Sequence, residues 1–163
     1  MSEWPEPVER VARHLRETGT EARIEEFGDG TPTAEDAARA AGCKLDQIVK
    51  SLVFVCDGDY VLAMVPGDQR GDSKRIAAAA GAKKARVAGA EQVLEATGFD
   101  PGGVAPFPPG KVKTVLIDRR LLVHELVWTG AGSHSHMAQI TPGDLVRLTK
   151  ARTADLVEQR APA

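Results

Sequence analysis

Two apolar runs, residues 48–56 and 60–65, are separated by Asp57-Gly58, and no other feature restricts the fold as much. Both runs are rich in Val and Leu, with Phe54 and Tyr60 at intervals, a composition suited to a pleated, largely buried surface. Asp-Gly readily takes the positive φ angles that a two-residue hairpin turn demands. The pair therefore predicts two adjacent antiparallel strands, and any fold for this chain must be built around them. Alternation places Lys50 on the same strand face as Ile48, Leu52 and Phe54. A lysine there is either a charge guarding a sheet edge or a cation kept for function. Periodicity alone favours the edge charge.

The segments on either side read as helices and further strands. Val8, Val11, Ala12 and Leu15 recur at helical spacing, predicting a helix over 5–18 that stops at Gly19. Thr33-Ala34-Glu35-Asp36 resembles a capping box, closed by Asp rather than the usual Glu or Gln, and starts a helix that runs to Ala41 and ends at Gly42. An Ala-rich helix opens at Ser73, and a short one spans 91–97. Further strands are expected near 22–27, 85–87, 112–117, 122–128 and 135–140, with turns at 118–120 and 130–132. Residues 99–110, broken by Gly and Pro yet apolar, read as an ordered loop. Thr141-Pro142-Gly143-Asp144 starts a last helix, expected to continue past Arg152, with a frayed tail over 157–163. The whole is one α+β domain over 1–163, with a mixed or antiparallel sheet and helices outside it.

Composition narrows the function. The chain has 163 residues, 42% hydrophobic, with 21 basic against 23 acidic side chains, for a net charge of −2. That excludes a strongly basic protein that coats nucleic acid, though not one with a local basic patch. Cys43 and Cys56 have no C-x-x-C spacing and read as small core residues in a reducing compartment. No apolar stretch approaches a membrane span, and the N-terminal residues lack a secretory pattern, so a cytoplasmic protein is expected. The G-x-S-x-G, P-loop, H-E-x-x-H and placed G-x-G-x-x-G motifs are all missing.

Four groups of residues remain as candidates for chemistry. Lys50 is the first. Gly102-Gly103 is the second, because adjacent glycine amides in an ordered loop can form an oxyanion hole or anion nest, although a plain turn after Pro101 also explains them. The third is Ser133-His134-Ser135-His136. Two His at i and i+2 would share a strand face, but no third ligand is near and no metal site is expected. The fourth comprises the basic clusters Lys74-Arg75, Lys83-Lys84-Arg86 and Lys111-Lys113, which would guide phosphates if they converged around Lys50.

Taken together and in order, these residues resemble the prolyl-tRNA editing family known as YbaK, ProX or EbsC, stand-alone relatives of the editing domain inserted in bacterial prolyl-tRNA synthetase. The matching segments are Thr33-Ala34-Glu35-Asp36-Ala37-Ala38, Gly42, and Gln47-Ile48-Val49-Lys50-Ser51-Leu52-Val53-Phe54. Gly67-Asp68, Lys74-Arg75-Ile76 and Gly98-Phe99-Asp100-Pro101-Gly102-Gly103-Val104-Ala105-Pro106-Phe107 continue the match, followed by Asp118, Leu121-Leu122 and Thr141-Pro142-Gly143-Asp144-Leu145. The likeness covers most of 33–148 and is weaker before it.

The resemblance implies a mixed, barrel-like sheet of six or seven strands flanked by helices, and hydrolysis of the ester of mischarged aminoacyl-tRNA, with Ala- or Cys-tRNA(Pro) as the leading substrates. It implies Lys50 and the Gly102 and Gly103 backbone as catalytic groups, a positioned water as nucleophile, and no cofactor. Thr33, Phe54 and a pocket residue from 132–137, His134 or His136, would contact substrate. Thr33 already has a sufficient role as a helix cap. The partners implied are the 3′ terminal adenosine and amino acid of aminoacyl-tRNA, and prolyl-tRNA synthetase, with no membrane. The main alternative is a binding module that recognises an aminoacylated end or a nucleotide without hydrolysing it.

Overall fold

The computed structural model describes residues 4–28 and 30–159. In chain order the elements are α1 (Glu6–Glu17), β1 (Arg23–Glu26), α2 (Ala34–Ala41), β2 (Val49–Cys56), β3 (Asp59–Pro66), α3 (Ser73–Ala80), β4 (Ala85–Val87) and α4 (Ala90–Thr97). They continue with β5 (Thr114–Asp118), β6 (Val127–Ser133), β7 (His136–Ile140), α5 (Pro142–Thr149) and β8 (Arg152–Ala154). The class is the mixed α+β one expected. The strands form two sheets rather than one closed barrel: β1-β7-β6, and β4-β2-β3-β5-β8. A single parallel bridge, Ile48 to Trp128, joins them.

The β2–β3 hairpin is the centre of the larger sheet. Asp57 (φ 49°) and Gly58 (φ 89°) make its turn, and the pairing runs from Cys56–Asp59 back to Val49–Pro66. β3 is buried on both faces. Leu62 and Met64 pack with Val11, Leu15, Val93, Phe99, Phe107 and Leu145. Val61, Ala63 and Val65 pack on the other side with Phe54, Ile76, Leu116, Leu156 and Val157. β3 then pairs in parallel with β5, and β5 with β8. A third cluster, Ala37, Ala38, Ile48, Trp128 and Met137, seats α2 over the junction of the two sheets. None of the helices formed by the described residues is long and apolar enough to cross a membrane.

Four expectations fail, each for a local physical reason. Residues 122–128 are not one strand. The Asp118 carboxylate accepts the Arg120 N–H and starts a 3-10 turn over Arg119–Val123, so the strand begins only at Val127. Residues 130–132 are not a turn but the middle of β6, beside a bulge. Gly130 and Gly132 mark close backbone approach: a Cβ there would meet Val104 O at 2.2 Å and Pro7 O at 2.7 Å. The last helix stops at Lys150, in the left-handed region (φ 55°), and the chain turns into β8. Lastly, the tail is anchored at its start. Leu156 and Val157 are buried, Gly71 bridges Val157, and Glu158 N–H donates to Arg70 O at 2.8 Å. Residues 160–163 lie outside the described residues.

Candidate active site

Where the two sheets meet, a cavity of about 310 Å³ is lined by the start of β2, the N-terminus of α2, the Pro101–Val104 segment and the β6–β7 hairpin. That is near the lower end of the range for small-ligand sites.

Lys50 enters it from β2. It is half-buried, and its ammonium donates to the Gln69 carbonyl. Burial pushes its pKa below the ordinary lysine value, Glu35 and Asp68 pull it back up, and Arg70 lowers it further. No carboxylate lies within ion-pair distance among the described residues, so the charge is solvated only in part and not neutralised. β2 is an interior strand between β3 and β4 in its sheet, although β4 pairs only with Phe54–Cys56. Next to Lys50, the Ser51 hydroxyl is buried at the cavity wall with no hydrogen-bond partner among the described residues.

Thr33 also lines the cavity while capping α2. Its Oγ1 accepts the Asp36 N–H at 3.1 Å and donates to Asp36 Oδ2 at 2.8 Å. The Thr33 hydroxyl, and Arg39 beside it, hold the Asp36 carboxyl below its ordinary range. The short aspartate thus closes the turn on Thr33, chiefly through the threonine hydroxyl.

The two glycines of the loop do different things. Gly102 lines the cavity, and Gly103 does not. The Gly103 N–H is already used, donating to Asp100 O at 2.8 Å, so it is not a free oxyanion donor. Gly103 is small for packing: a Cβ there would meet Ser133 Cα at 2.7 Å. At Gly102 the nearest neighbour would be His134 Cβ at 3.9 Å, ordinary contact.

Phe54 is not in the site. It is 2% exposed within the core cluster formed with Ile76 and Leu116, two strand positions beyond the last lining residue of β2. His134 is exposed at the β6–β7 turn, and His136, buried on β7, is the imidazole on the cavity wall. The turn intervenes between them, so the shared strand face needed for paired metal ligands does not exist.

His136 meets Ser133, from the same Ser-His run, and Glu26, which the sequence did not single out. Its Nδ1 is 2.6 Å from Ser133 Oγ, and its Nε2 is 3.3 Å from Glu26 Oε2. Ser133 also lines the cavity, and its Oγ accepts the Ser135 N–H at 3.1 Å. The only trace of this chain of contacts in the sequence is the density of Ser and His in 133–136; Glu26 is brought in by the β1–β7 pairing of Glu26 with His136.

The basic clusters do not gather around Lys50. Lys74, Lys83, Lys84 and Arg86 line a second cavity, while Lys111 and Lys113 are paired with Glu95 and Asp59 at 3.9 and 3.1 Å.

Comparison with known proteins bears on the family and the fold. The model of the aminoacyl-tRNA editing domain matches residues 29–148. The uncharacterized protein YwhH of Bacillus subtilis (strain 168) is 34% identical over 139 residues, 85% of this chain and 88% of that one. A protein of Enterococcus faecalis described as a candidate Cys-tRNA(Pro)/Cys-tRNA(Cys) deacylase, EbsC, is 26% identical over 125 residues, 76% of each chain. A crystal structure described as a candidate trans-editing enzyme for prolyl-tRNA synthetase superposes with a TM-score of 0.90 at 35% identity, covering 96% of this chain and 100% of that one. With the family model matching well over half its length and the fold matching throughout, the chain belongs to the aminoacyl-tRNA editing domain family.

Proposed function

We propose that this protein is a trans-editing deacylase that hydrolyses the ester of mischarged aminoacyl-tRNA, with Ala- and Cys-tRNA(Pro) the leading substrates. The observation that carries the reading is Lys50: a half-buried cation with no carboxylate at ion-pair distance among the described residues, in a small cavity that Gly102 also lines. The family supports a deacylase role in general terms.

An aminoacyl ester is already activated, so the site has little covalent work to do. Water adds to the ester carbonyl, the bond to the ribose oxygen breaks, and that oxygen leaves with a proton as a hydroxyl. The Gly102 N–H would face the developing oxyanion, where one such donor is typically worth about 3 kcal/mol. Lys50 would hold the terminal phosphate or polarise the carbonyl. Both ring nitrogens of His136 have protein partners, which suits a wall that orients substrate better than a free base. The attacking water would then pass its proton to the neighbouring ribose hydroxyl as that hydroxyl gives its own to the departing ribose oxygen, so the proton the leaving group carries comes from the water by relay. A synthetase rejects a smaller or equal-sized amino acid by only about 1–3 kcal/mol per methylene, which is why a second sieve is needed. Prolyl-tRNA synthetase would be the partner enzyme, and the cytoplasm the setting.

The Glu26–His136–Ser133 chain favours one second reading: Ser133 Oγ as a nucleophile with His136 as its base. The Ser135 N–H already bound to that oxygen makes it a poorer nucleophile, so water is preferred.

The test is deacylation of Ala-, Cys-, Ser- and Pro-tRNA(Pro) by the native chain, Lys50→Ala and Ser133→Ala. Rapid loss of one noncognate ester, abolished in Lys50→Ala and kept within about tenfold in Ser133→Ala, is expected. An acyl-enzyme trapped on Ser133 would replace the water route with the covalent one. No hydrolysis of any ester, with tRNA still bound, would replace the enzyme with the binding module.

A further inference from the structure

We infer that the basic wall formed by α3, β4 and the β2–β3 turn is the docking surface for the phosphate backbone of the acceptor strand that leads into the Lys50 cavity. The inference rests on the aminoacyl-tRNA reading above and adds the face on which the tRNA lies.

Three observations meet here. First, Lys74, Lys83, Lys84 and Arg86, with Ser73, Asp57 and Gly58, line a cavity of about 690 Å³, more than twice the volume of the first. All four cations are exposed. Second, none of the four has an ion-pair partner among the described residues, nor does Arg70; Arg13, Lys44, Lys150 and Arg152 are unpaired too, but Arg10, Arg16, Arg23, Arg39, Arg75, Lys111, Lys113, Arg119, Arg120 and Arg147 are all paired. In a chain of net charge −2, four unpaired cations gathered around one cavity give that place a positive local field that attracts a polyanion. The one carboxylate at that cavity, Asp57, is tied to the backbone N–H groups of Lys83 and Lys84 at 2.8 and 3.2 Å, which holds the lysine-bearing segment against the hairpin turn.

Third, β2 and the loop after β3 link this wall to the candidate active site. β2 runs from one cavity to the other, with Lys50 in the first and Val55 in the second. Five residues of strand at roughly 3.3 Å each separate them by about 17 Å, the reach of a few nucleotides. The loop after β3 bridges the same gap: Gln69 O holds the Lys50 ammonium, Arg70 acts on its charge, and Asp72 caps the helix that presents Ser73 and Lys74. A strand whose terminal adenosine occupies the Lys50 cavity would pass Arg70 and Lys74 and set its next phosphates over Lys83, Lys84 and Arg86.

The experiment uses the full chain, the double variant Lys83→Glu/Lys84→Glu, and Arg13→Glu/Arg152→Glu as a control with the same charge change at exposed, unpaired sites elsewhere. Binding of uncharged tRNA(Pro) is measured across a salt series, independently of catalysis, alongside hydrolysis of aminoacyl-tRNA and of a minimal aminoacyl-adenosine ester. The expected result is tRNA affinity at least about tenfold weaker than in the control at low salt. The slope of log affinity against log salt should be shallower by about 0.7–0.9 for each lost phosphate contact. The double variant should raise KM for aminoacyl-tRNA and leave the minimal ester unchanged. Equal affinity and slope in the two variants would overturn the inference. So would loss of binding to poly-glutamate with tRNA binding intact, which would point to an acidic protein partner instead. A parent that hydrolyses neither ester, yet binds tRNA through Lys83 and Lys84, would sink the deacylase reading and leave the surface standing.

Discussion

Lys50 shows how a residue's cost reveals its use. Its folded pKa lies below the ordinary lysine value, chiefly because burial disfavours the ammonium. Between that lowered value and 10.5 the folded chain binds fewer protons than the unfolded one, so stability rises with pH through that window. At neutral pH the half-buried charge is therefore a net cost. Lys50→Met should abolish deacylation while its Tm equals or exceeds that of the parent, and the difference should shrink as pH approaches the ordinary lysine range. Thermal melts at a series of pH values check this; a Tm several degrees below the parent would make Lys50 a structural residue. The glycine pair offers a second contrast. A Cβ on Gly102 meets only ordinary contact, but one on Gly103 collides with the Ser133 backbone. Gly102→Ala should melt within a degree or two of the parent, and Gly103→Ala should lose about 1–3 kcal/mol, as overpacked sites do. Denaturant titrations of the two separate a packing role at 103 from an open position at 102.

At the scale of elements, what could be read in advance depended on how locally each element is determined. The hairpin around Asp57-Gly58, the Thr33 and Thr141 caps and the stops at Gly42 and Gly98 are set by neighbouring residues, and all were legible. Lys50 and Gly102 were legible as candidates because a charge among apolar neighbours, and glycine in an ordered loop, are local anomalies. His136 and Ser133 were legible as part of the Ser133–His136 run, but their meeting with each other and with Glu26 was not, since it depends on the register of β7 between β1 and β6. Phe54 was misplaced for the converse reason: sharing a strand face with Lys50 does not tell where the cavity ends and the core begins. β8 was missed because its pairing partner, β5, lies more than thirty residues away. Asp118 links those two strands. Fully buried, it accepts the Arg120 N–H at 2.9 Å and the Leu156 N–H at 2.8 Å, and pairs with Arg120 at 3.5 Å. Asp118→Ala leaves the buried Leu156 N–H without a partner and should cost at least about 1–3 kcal/mol. Hydrogen exchange should show the Leu156 amide losing protection before the β2–β3 amides. Simultaneous loss across both would mean that Asp118 acts on the fold as a whole.

For the whole molecule, the division into two sheets gives each a task. The larger one carries Lys50 on a strand whose neighbours are locked on both faces, and the smaller one carries Ser133 and His136 on a hairpin. The cavity exists only while both stay in register. The family match ends at residue 148, yet the last strand and the residues after it complete the core of the larger sheet. Leu156 is fully buried and Val157 nearly so, against Phe54, Val61, Ile76 and Leu116. Burying two such side chains is worth roughly 3–6 kcal/mol, a large share of the stability of an ordinary domain. The packed core therefore extends through Val157, past the end of α5. Leu156→Ala should lose about 2–5 kcal/mol and melt roughly 5–15 °C lower. Because Leu156 contacts neither cavity, its deacylation rate well below the Tm should match the parent's. A chain cut after residue 151 should be unable to hold the β3–β5 face closed and should bind a hydrophobic dye at room temperature. If that shortened chain melts like the parent, β8 is an ornament on a core that closes at α5; if it unfolds, the residues past the family's matched segment are as much a condition of the site as Lys50 itself.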